Sequence, residues 1–587
     1  MTVKKTKIVC TLGPATDTVD LMTELINNGM NVARFNFSHG THDEQKERMD
    51  KLKQARQKAG KNVGMLLDTK GPEIRTHIMQ DDKIELVKGK SVKISMEEVL
   101  GTPDMFSVTY SKLIHDVNVG GHILLDDGLI DLLVTDIDIQ NGHITTEIQN
   151  TGTIKSRKGV NVPNVSLSLP GITQKDADDI RFGLMQGIDF IAASFVRSAK
   201  DVLEIRELLE EEGYPHIQII SKIENQEGVD NVDEILTVSD GIMIARGDLG
   251  VEIPAQEVPI LQKHIIKKCN QAGKPVITAT QMLDSMQINP RPTRAEAGDV
   301  ANAIFDGTDA VMLSGETASG TYPLQAVQMM ASICLRTESA LIGQDSLTLK
   351  SFDKKDMTES IGQAVGHTVK NLDINTIVAA TSSGHTARMI SKFRPKAQII
   401  AATFDERTSR QLTVVWGVSS FVVDQVQSTD ALFNTATELA LNNGFAKEGD
   451  LIVITAGVPI GESGTTNLMK IQQIGTLISK GEGVGRLSSV GHAVIAKDAQ
   501  EANEKMVEGG ILITKQTTKD YMPAIQKAAA IVTEDGGMTS HAAIVGLELN
   551  IPVVVSAKGT LANITDNELI TVDARRGRIY KGSTVAI

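Results

Sequence analysis

Between Asp189 and Gly315 the chain reads DFIAAS (189–194), IQIISK (217–222), GIMIAR (241–246), PVITAT (275–280) and AVMLSG (310–315), with helix-like sequence between the runs. Three runs of the same kind, KIVCTL (7–12), VARFNF (32–37) and VGMLLD (63–68), open the chain. Each is short, apolar and often β-branched, and amphipathic stretches such as VPILQKHIIKKCNQAG follow them. Near-continuous apolar strands suit a sheet buried on both faces, with helices forming the outer layer. A doubly wound sheet alternates in the same way, but a count of eight favours a closed (β/α)8 TIM barrel. Residues 1–70 and 170–342 are expected to form this α/β barrel.

At about 150 residues per domain, a chain of 587 residues holds more than the barrel. Residues 71–169 change texture: KIELVKGKSVKIS, FSVTY and DLLVTDIDIQNGHITTEIQ alternate with period two, and Asn141-Gly142 between two such runs is a hairpin signal. They predict an inserted all-β domain able to act as a lid. GQDSLTLKSFDKKD (343–356) is polar and uneven, as linkers are. A second α/β unit, 343–480, follows with strands TIVAAT, IIAAT, FVVD and LIVITAG. The glycine-rich GEGVGR (481–486) reads as another hinge, opening a third unit, 481–587.

Lys plus Arg total 59 against 73 Asp plus Glu, a formal charge of −14, which disfavours nucleic acid or an anionic membrane as partner. Any anionic ligand must be met by a local basic cluster. Aromatic residues are 3%, too few for a single-strand stacking platform. Cys10, Cys269 and Cys334 show neither metal-ligand nor disulfide spacing, which points to a reducing compartment. No apolar run is long enough for a signal peptide or membrane span, so the expected localisation is cytoplasmic.

In a parallel barrel the working residues lie at the carboxyl ends of the strands. Those ends read Arg34, Asn36, Ser38 and His39; Asp68, Thr69, Lys70, Glu73 and Arg75; Lys222, Glu224 and Asn225; Arg246, Gly247 and Asp248; Thr278 and Thr280; Ser314, Gly315 and Glu316. Lys222 and Glu224, two apart, point to the same side of an extended strand. Glu224 and Asp248, on adjacent strands, can converge on one hard cation; Mg²⁺ takes one or two carboxylates and leaves its other positions to water and phosphate oxygens. Arg34, Arg75 and Lys222 suit the spreading of phosphoryl charge. One Lys or Glu at a strand end reads as a solvated salt bridge. Opposite charges and hydroxyls gathered at one rim are costly to desolvate without a ligand, and read as a site. Glu73, close to Asp68 and Thr69, leaves negative charge that K⁺ can balance. His39 is given no acid-base role, and Cys10 is expected to face the barrel interior.

MNVARFNFSHG, LLDTKGPEIRT, ISKIENQEGV, IARGDLGVEI, PVITATQMLDSM, NPRPTRAE and VMLSGETASG together resemble the pyruvate kinase family, over residues 1 to about 475. The resemblance implies phosphoryl transfer from phosphoenolpyruvate to ADP, giving ATP and pyruvate, in a homotetramer. It implies Glu224 and Asp248 as ligands of Mg²⁺ (or Mn²⁺), and Asn36, Ser38, Asp68 and Thr69 as the K⁺ site. Lys222 matches the cation at the transferring phosphoryl group, Arg34 and Arg75 phosphate contacts, and Thr280 the proton-transfer region. The backbone around Arg246, Gly247 and Asp248 matches the carboxylate site of phosphoenolpyruvate, and Arg75, His39 and Lys158 match nucleotide contacts. Departures are small: Phe35 where leucine is usual, Asn164 where glycine is usual and Gly298 where serine is usual. A metal-dependent aldolase or lyase on the same barrel would need neither the β insertion nor the K⁺ residues; a silent sensor would not need Lys222, Glu224, Asp248 and Thr280.

TIVAATSSGHTARMI is a strand, a loop and a helix start, and Thr381, Ser382, Ser383, Gly384 and Thr386 offer hydroxyls and amides for a phosphate. The stretch resembles the family's effector loop, with GVPIGESGTTN (457–467) the loop facing it, and implies a phosphorylated allosteric effector. Residues 482–587 exceed the usual family length. TEDGGMTSHAAIVGLELNIPVVV resembles the swivelling phosphohistidine domain of enzymes that use phosphoenolpyruvate, with His541 at the phosphorylated position. Because the barrel carries kinase motifs, a structural or regulatory tail is favoured over an active phosphocarrier.

Overall fold

The computed structural model describes residues 3–341, 356–426, 428–458, 466–475 and 477–583. The described residues fall into two compact units, one within 1–351, 387–394 and 405–422, the other within 352–386, 395–404 and 423–587.

In the first unit, β1 (Lys7–Thr11), β2 (Val32–Asn36), β3 (Gly64–Asp68), β4 (Phe190–Ala193), β5 (Gln218–Ile223), β6 (Gly241–Ala245), β7 (Val276–Ala279) and β8 (Ala310–Leu313) close into a parallel barrel in chain order. Every residue of β1, β3, β4, β6, β7 and β8 is buried, which is why these runs lack polar alternation. Helices after the barrel loops start on capping boxes, Thr41 with Glu44, Thr173 with Asp176 and Thr293 with Glu296. Cys10 does not face the interior. Ile8 and Cys10 pack with Met22 and Leu25 of the helix Val19–Asn28, while Thr11 points inward and accepts from Arg34 Nη1 at 2.9 Å. The period of two decides it, since odd-numbered residues of β1 take the inner face.

Between β3 and β4 the chain leaves to form the β domain. Its seven-stranded sheet runs from Ile74–Arg75 through Gly159–Asn161, His122–Leu125, Ile130–Asp138, His143–Ile148 and Ser91–Ser95 to Met105–Ser107. The hairpin turns at Asn141-Gly142, where Gly142 is left-handed at φ 67°. Phe106, Leu132 and Ile144 sit in a core of its own. The two connections to the barrel each contain a left-handed residue, Gly71 (φ 73°) and Asn164 (φ 61°).

At the amino ends of the barrel strands lie the segments 387–394 and 405–422. Arg410 Nε meets Asp189 at 2.9 Å, Arg394 Nη1 meets Asp309 at 3.1 Å, and Lys7 Nζ donates to Val418 O at 2.6 Å.

In the second unit, β10 (Gln398–Thr403), β9 (Thr376–Ala380) and β11 (Leu451–Ala456) are parallel neighbours, and β12 (Leu468–Gln473) joins antiparallel to β11. A further eight-stranded sheet occupies the carboxyl-terminal part. There Gly481–Arg486 is no hinge. Glu482–Val484 is a strand paired with Val553–Val555, and Leu477–Lys480 pairs with Arg578–Lys581. The glycines serve close packing: a Cβ at Gly481 would stand 2.2 Å from Val555 O. No helix among the described residues is long and apolar enough to cross a membrane.

Candidate active site

The carboxyl rim of the barrel carries a buried charge cluster. Asp68, at the end of β3, receives Arg34 Nε on Oδ2 at 2.5 Å and Lys222 Nζ on Oδ1 at 3.2 Å. Lys222 Nζ also donates to Ser194 Oγ at 2.8 Å and lies 3.0 Å from Glu224 Oε1. Asp68 and Glu224 are each 1% exposed. Burial alone would raise the Asp68 carboxyl, but Arg34 and Lys222 outweigh it and hold it below its ordinary value. Burial also opposes the Lys222 ammonium, yet Asp68 and Glu224 prevail and its pKa is raised. Glu224 goes the other way: burial, with the nearby charge of Asp248, pushes it up to about 7 despite Lys222.

Glu224 Oε2 accepts from the Phe195 amide at 2.6 Å, whereas buried Oε1 has the Lys222 ammonium 3.0 Å away and no other partner among the described residues. A carboxylate oxygen with one ionic partner and lone pairs to spare, near the charge of Asp248, fits a hard cation. Backbone strain gathers in the same place. Phe195 (φ 56°), Thr280 (φ 66°) and Gln281 (φ 54°) are left-handed without being glycine. Thr280 is held there by the Gly247 amide, which donates to its Oγ1 at 2.7 Å, and by Arg246 Nη2, which donates to its carbonyl at 2.8 Å. Arg246 is thereby spent on Thr280 and on Asp299, 2.7 Å away, rather than offered to a ligand.

Asn36 stands beside Asp68 in the β2–β3 register, and its Oδ1 accepts from the Ser38 amide at 3.1 Å. Thr69 Oγ1 accepts from the Ser194 amide at 3.1 Å. Glu73 does not bring unmatched charge to this group: Arg75 donates to it at 2.7 and 2.8 Å, and Lys70 lies 2.8 Å away. Lys158 is 2.9 Å from Asp126. Arg75, Lys158 and Asp248 line one cleft between the β domain and the rim, about 610 Å³ in volume. Arg34 and Lys222 are not among its lining, so the three cations expected around one pocket divide into two inner ones and one at the cleft. His39 is exposed on the loop after β2.

In the second unit, Thr381, Ser382, Ser383 and Thr386 line a pocket with Phe404 and Asp424. Gly384 makes the turn into the helix His385–Lys392 with φ 80°. Thr386 is buried and pairs its Oγ1 with Thr466 Oγ1 at 2.9 Å. Part of the facing loop, 459–465, lies outside the described residues. His541 opens the helix His541–Leu549 behind the cap Ser540, and its Nδ1 is 3.0 Å from Thr517 Oγ1.

Residues 3–327 match the family model for the pyruvate kinase barrel domain, 359–472 that for the pyruvate kinase alpha/beta domain, and 506–577 that for the mobile domain of PEP-utilising enzymes. Pyruvate kinases of Bacillus licheniformis and Geobacillus stearothermophilus are each 59% identical over 580 residues, 99% of both chains. The chain belongs to the pyruvate kinase family. A crystal structure of a pyruvate kinase from Cryptosporidium parvum superposes with a TM-score of 0.76 at 40% identity, covering 80% of this chain and 96% of that one. The activity is that of pyruvate kinase, transfer of the phosphoryl group of phosphoenolpyruvate to ADP.

For a pyruvate kinase site, the strand ends named above omit two that matter. Ser194, after β4, bridges Lys222 and Asp68, and Thr11, ending β1, holds Arg34. Reading the ends of strands one and four, in KIVCTL and DFIAAS, would have found both. Glu316 is buried, and it ties two rim loops by accepting from the Ser314 amide at 2.7 Å and the Leu283 amide at 3.1 Å.

Proposed function

We propose that the rim works as a phosphotransferase site of the alcohol-acceptor class in which Glu224 and Asp248 hold Mg²⁺ or Mn²⁺ and Asn36, Ser38, Asp68 and Thr69 hold K⁺. The observation that carries this reading is the buried Lys222 ammonium gathered by Asp68, Glu224 and Ser194, with that ammonium the one partner of Glu224 Oε1 among the described residues. The divalent cation, when bound, neutralises and orients phosphoryl oxygens. Lys222 stays protonated and meets charge that grows on the transferring group, in a site that needs positioning more than covalent chemistry. Arg34, held by Asp68 and Thr11, points a second cation at a phosphate oxygen. Gly247, Asp248 and Thr280 surround the carboxylate and the carbon that is protonated. Arg75, Lys158 and His39 contact the nucleotide, and the β domain covers it and excludes water. Since Glu73 is already matched by Arg75 and Lys70, the K⁺ requirement rests on the Asn36–Asp68 group alone.

The Thr381–Thr386 loop binds a phosphorylated activator through hydroxyls and helix-start amides. Its described lining has one carboxylate, Asp424, and neither Lys nor Arg, which favours one phosphate with hydroxyls over two phosphates. The enzyme works in the cytoplasm as a homotetramer, and residues 481–587 are a structural or regulatory tail.

A coupled assay for pyruvate tests these assignments. Turnover requires Mg²⁺ and K⁺, and Glu224→Gln moves the Mg²⁺ activation curve to higher concentration, because an amide is a poorer ligand for a hard cation. An unchanged Mg²⁺ titration, or equal rates in K⁺ and tetramethylammonium, overturns the respective assignment. Replacing Ser382 and Ser383 by Ala removes activation by sugar monophosphates and leaves the unactivated rate; persistent activation puts the effector elsewhere.

A further inference from the structure

The β domain returns to the barrel through the strand Gly159–Asn161, and there it meets the short helix Arg246–Glu252. Asn161 Nδ2 donates to Glu252 Oε1 at 2.8 Å. A second approach comes from the turn at Gly128, where a Cβ would lie 3.5 Å from Val251 Cγ1. Both contacts fall on the last turn of a helix whose first turn carries Gly247 and Asp248. Gly159–Asn161 pairs with Ile74–Arg75 and with His122–Leu125, so Arg75 and Lys158 belong to the same stretch of sheet as Asn161. Arg75, Lys158, Asn161, Asp248 and Glu252 line one cleft.

We infer that Glu252 is a positioning residue whose carboxylate latches the base of the β domain, through Asn161, to the helix that carries Asp248. The latch fixes the span between the cations on the nucleotide side and the carboxylate on the metal side. A charged acceptor in a half-shielded site makes a stronger bond than a surface pair. Phosphoryl transfer depends on that span, because small displacements of donor and acceptor are costly where catalysis is mainly alignment. Glu252 touches no reacting atom and acts through Asn161. The inference rests on reading Asp248 as a metal ligand and the β domain as the nucleotide's cover.

The test uses the full-length enzyme with Mg²⁺ and K⁺. In Glu252→Ala, kcat/KM for ADP falls about ten-fold, while calorimetric binding of phosphoenolpyruvate stays within about two-fold. Glu252→Gln, which keeps a carbonyl acceptor for Asn161 Nδ2, stays close to the unmodified enzyme. Asn161→Ala reproduces most of the loss, and the double variant adds little to it. Unchanged ADP kinetics in Glu252→Ala, or in Asn161→Ala if the former fails to fold, overturns the latch. Equal loss of phosphoenolpyruvate binding overturns it too, since Glu252 would then merely shape the substrate helix. A shift of the Mg²⁺ titration in Glu252→Gln makes Glu252 a metal group and has the same result. Failure of the underlying reading looks different: phosphoenolpyruvate would bind the unmodified enzyme equally well without Mg²⁺.

Discussion

The two ends of the barrel both bury charge, and they treat it differently. On the floor, each carboxylate oxygen has a donor: Asp189 takes Arg410 Nε and the Met65 amide, and Asp309 takes the Val276 and Trp416 amides with Arg394 beside it. On the rim, Lys222 is shared between Asp68 and Glu224, it is the one partner of Glu224 Oε1 among the described residues, and Phe195 and Thr280 are held in strained backbone. The floor's ion pairs join chain segments, and even there Arg394 is left-handed (φ 47°) with Nε lacking a hydrogen bond; the rim differs in gathering Arg34, Lys222, Asp68 and Glu224 at one point, more buried charge than joining segments requires. That contrast separates a structural from a catalytic use of the same residue types.

The sharpest way to break the contrast is at the rim. Lys222→Met removes a charge used chiefly in the transition state, so kcat is expected to fall by roughly 10² or more with a smaller change in substrate binding. Thermal unfolding of the same variant measures whether stability follows. A near-normal kcat, or a loss of stability as large as the loss of activity, would make the rim a second floor.

At the floor the expectation reverses. Arg394→Met leaves Asp309 buried without its cation and removes the guanidinium 4.8 Å above the Trp416 ring. Breaking such a pair is expected to cost about 3 kcal/mol of stability while kcat stays within a few fold. Trp416 is the single tryptophan of the chain, so its fluorescence follows this junction directly in a denaturant titration. A variant as stable as the parent, but inactive, would place chemistry on the floor.

Lys7 offers a smaller effect with a definite sign. Burial, and then the charge of Lys4, lower its pKa to about 7 against the pull of Glu338 and Asp309. The unfolded chain therefore binds a proton that the folded one lacks between about pH 7 and the ordinary lysine value of about 10.4, and stability rises with pH across that window. Lys7→Met removes this dependence. The difference in Tm between Lys7→Met and the parent should shrink as pH goes from about 6.5 to about 9.5; a constant difference would show that Lys7 keeps its proton.

The strand count and the β insertion are legible because burial dictates composition: eight apolar runs and one alternating segment leave few other architectures. Side-chain partnership is much less legible. Spacing places Arg246 at the rim, but nothing in GIMIAR shows that its guanidinium turns back to hold Thr280 and Asp299. Likewise Glu73 reads as spare negative charge until Arg75 and Lys70 are seen to take it. Gly481 and Gly483 look like a hinge because glycine permits both flexibility and close packing. Only the 2.2 Å and 1.8 Å that separate their Cβ positions from backbone oxygens decide for packing.

His541 extends the comparison to a third region, one that has a nucleophile but lacks a charge network like the rim's among its described contacts. Its Nδ1 is engaged by Thr517 Oγ1 at 3.0 Å, which leaves Nε2 as the other ring nitrogen, at a helix start suited to a phosphate. Residues 506–577 match the mobile domain of PEP-utilising enzymes. Direct transfer to ADP at the rim needs no covalent relay, however, and His541→Ala is expected to leave kcat and both KM values unchanged. Deleting the tail should also spare turnover, within a few fold, if the cut respects the sheet. Leu477–Lys480 pairs with Arg578–Lys581, so the chain must end before Leu477 rather than at Gly481, where one strand would be stranded without its partner. Acid-labile label from phosphoenolpyruvate on His541, together with loss of turnover in His541→Ala, would reverse the assignment and give this region a catalytic step of its own.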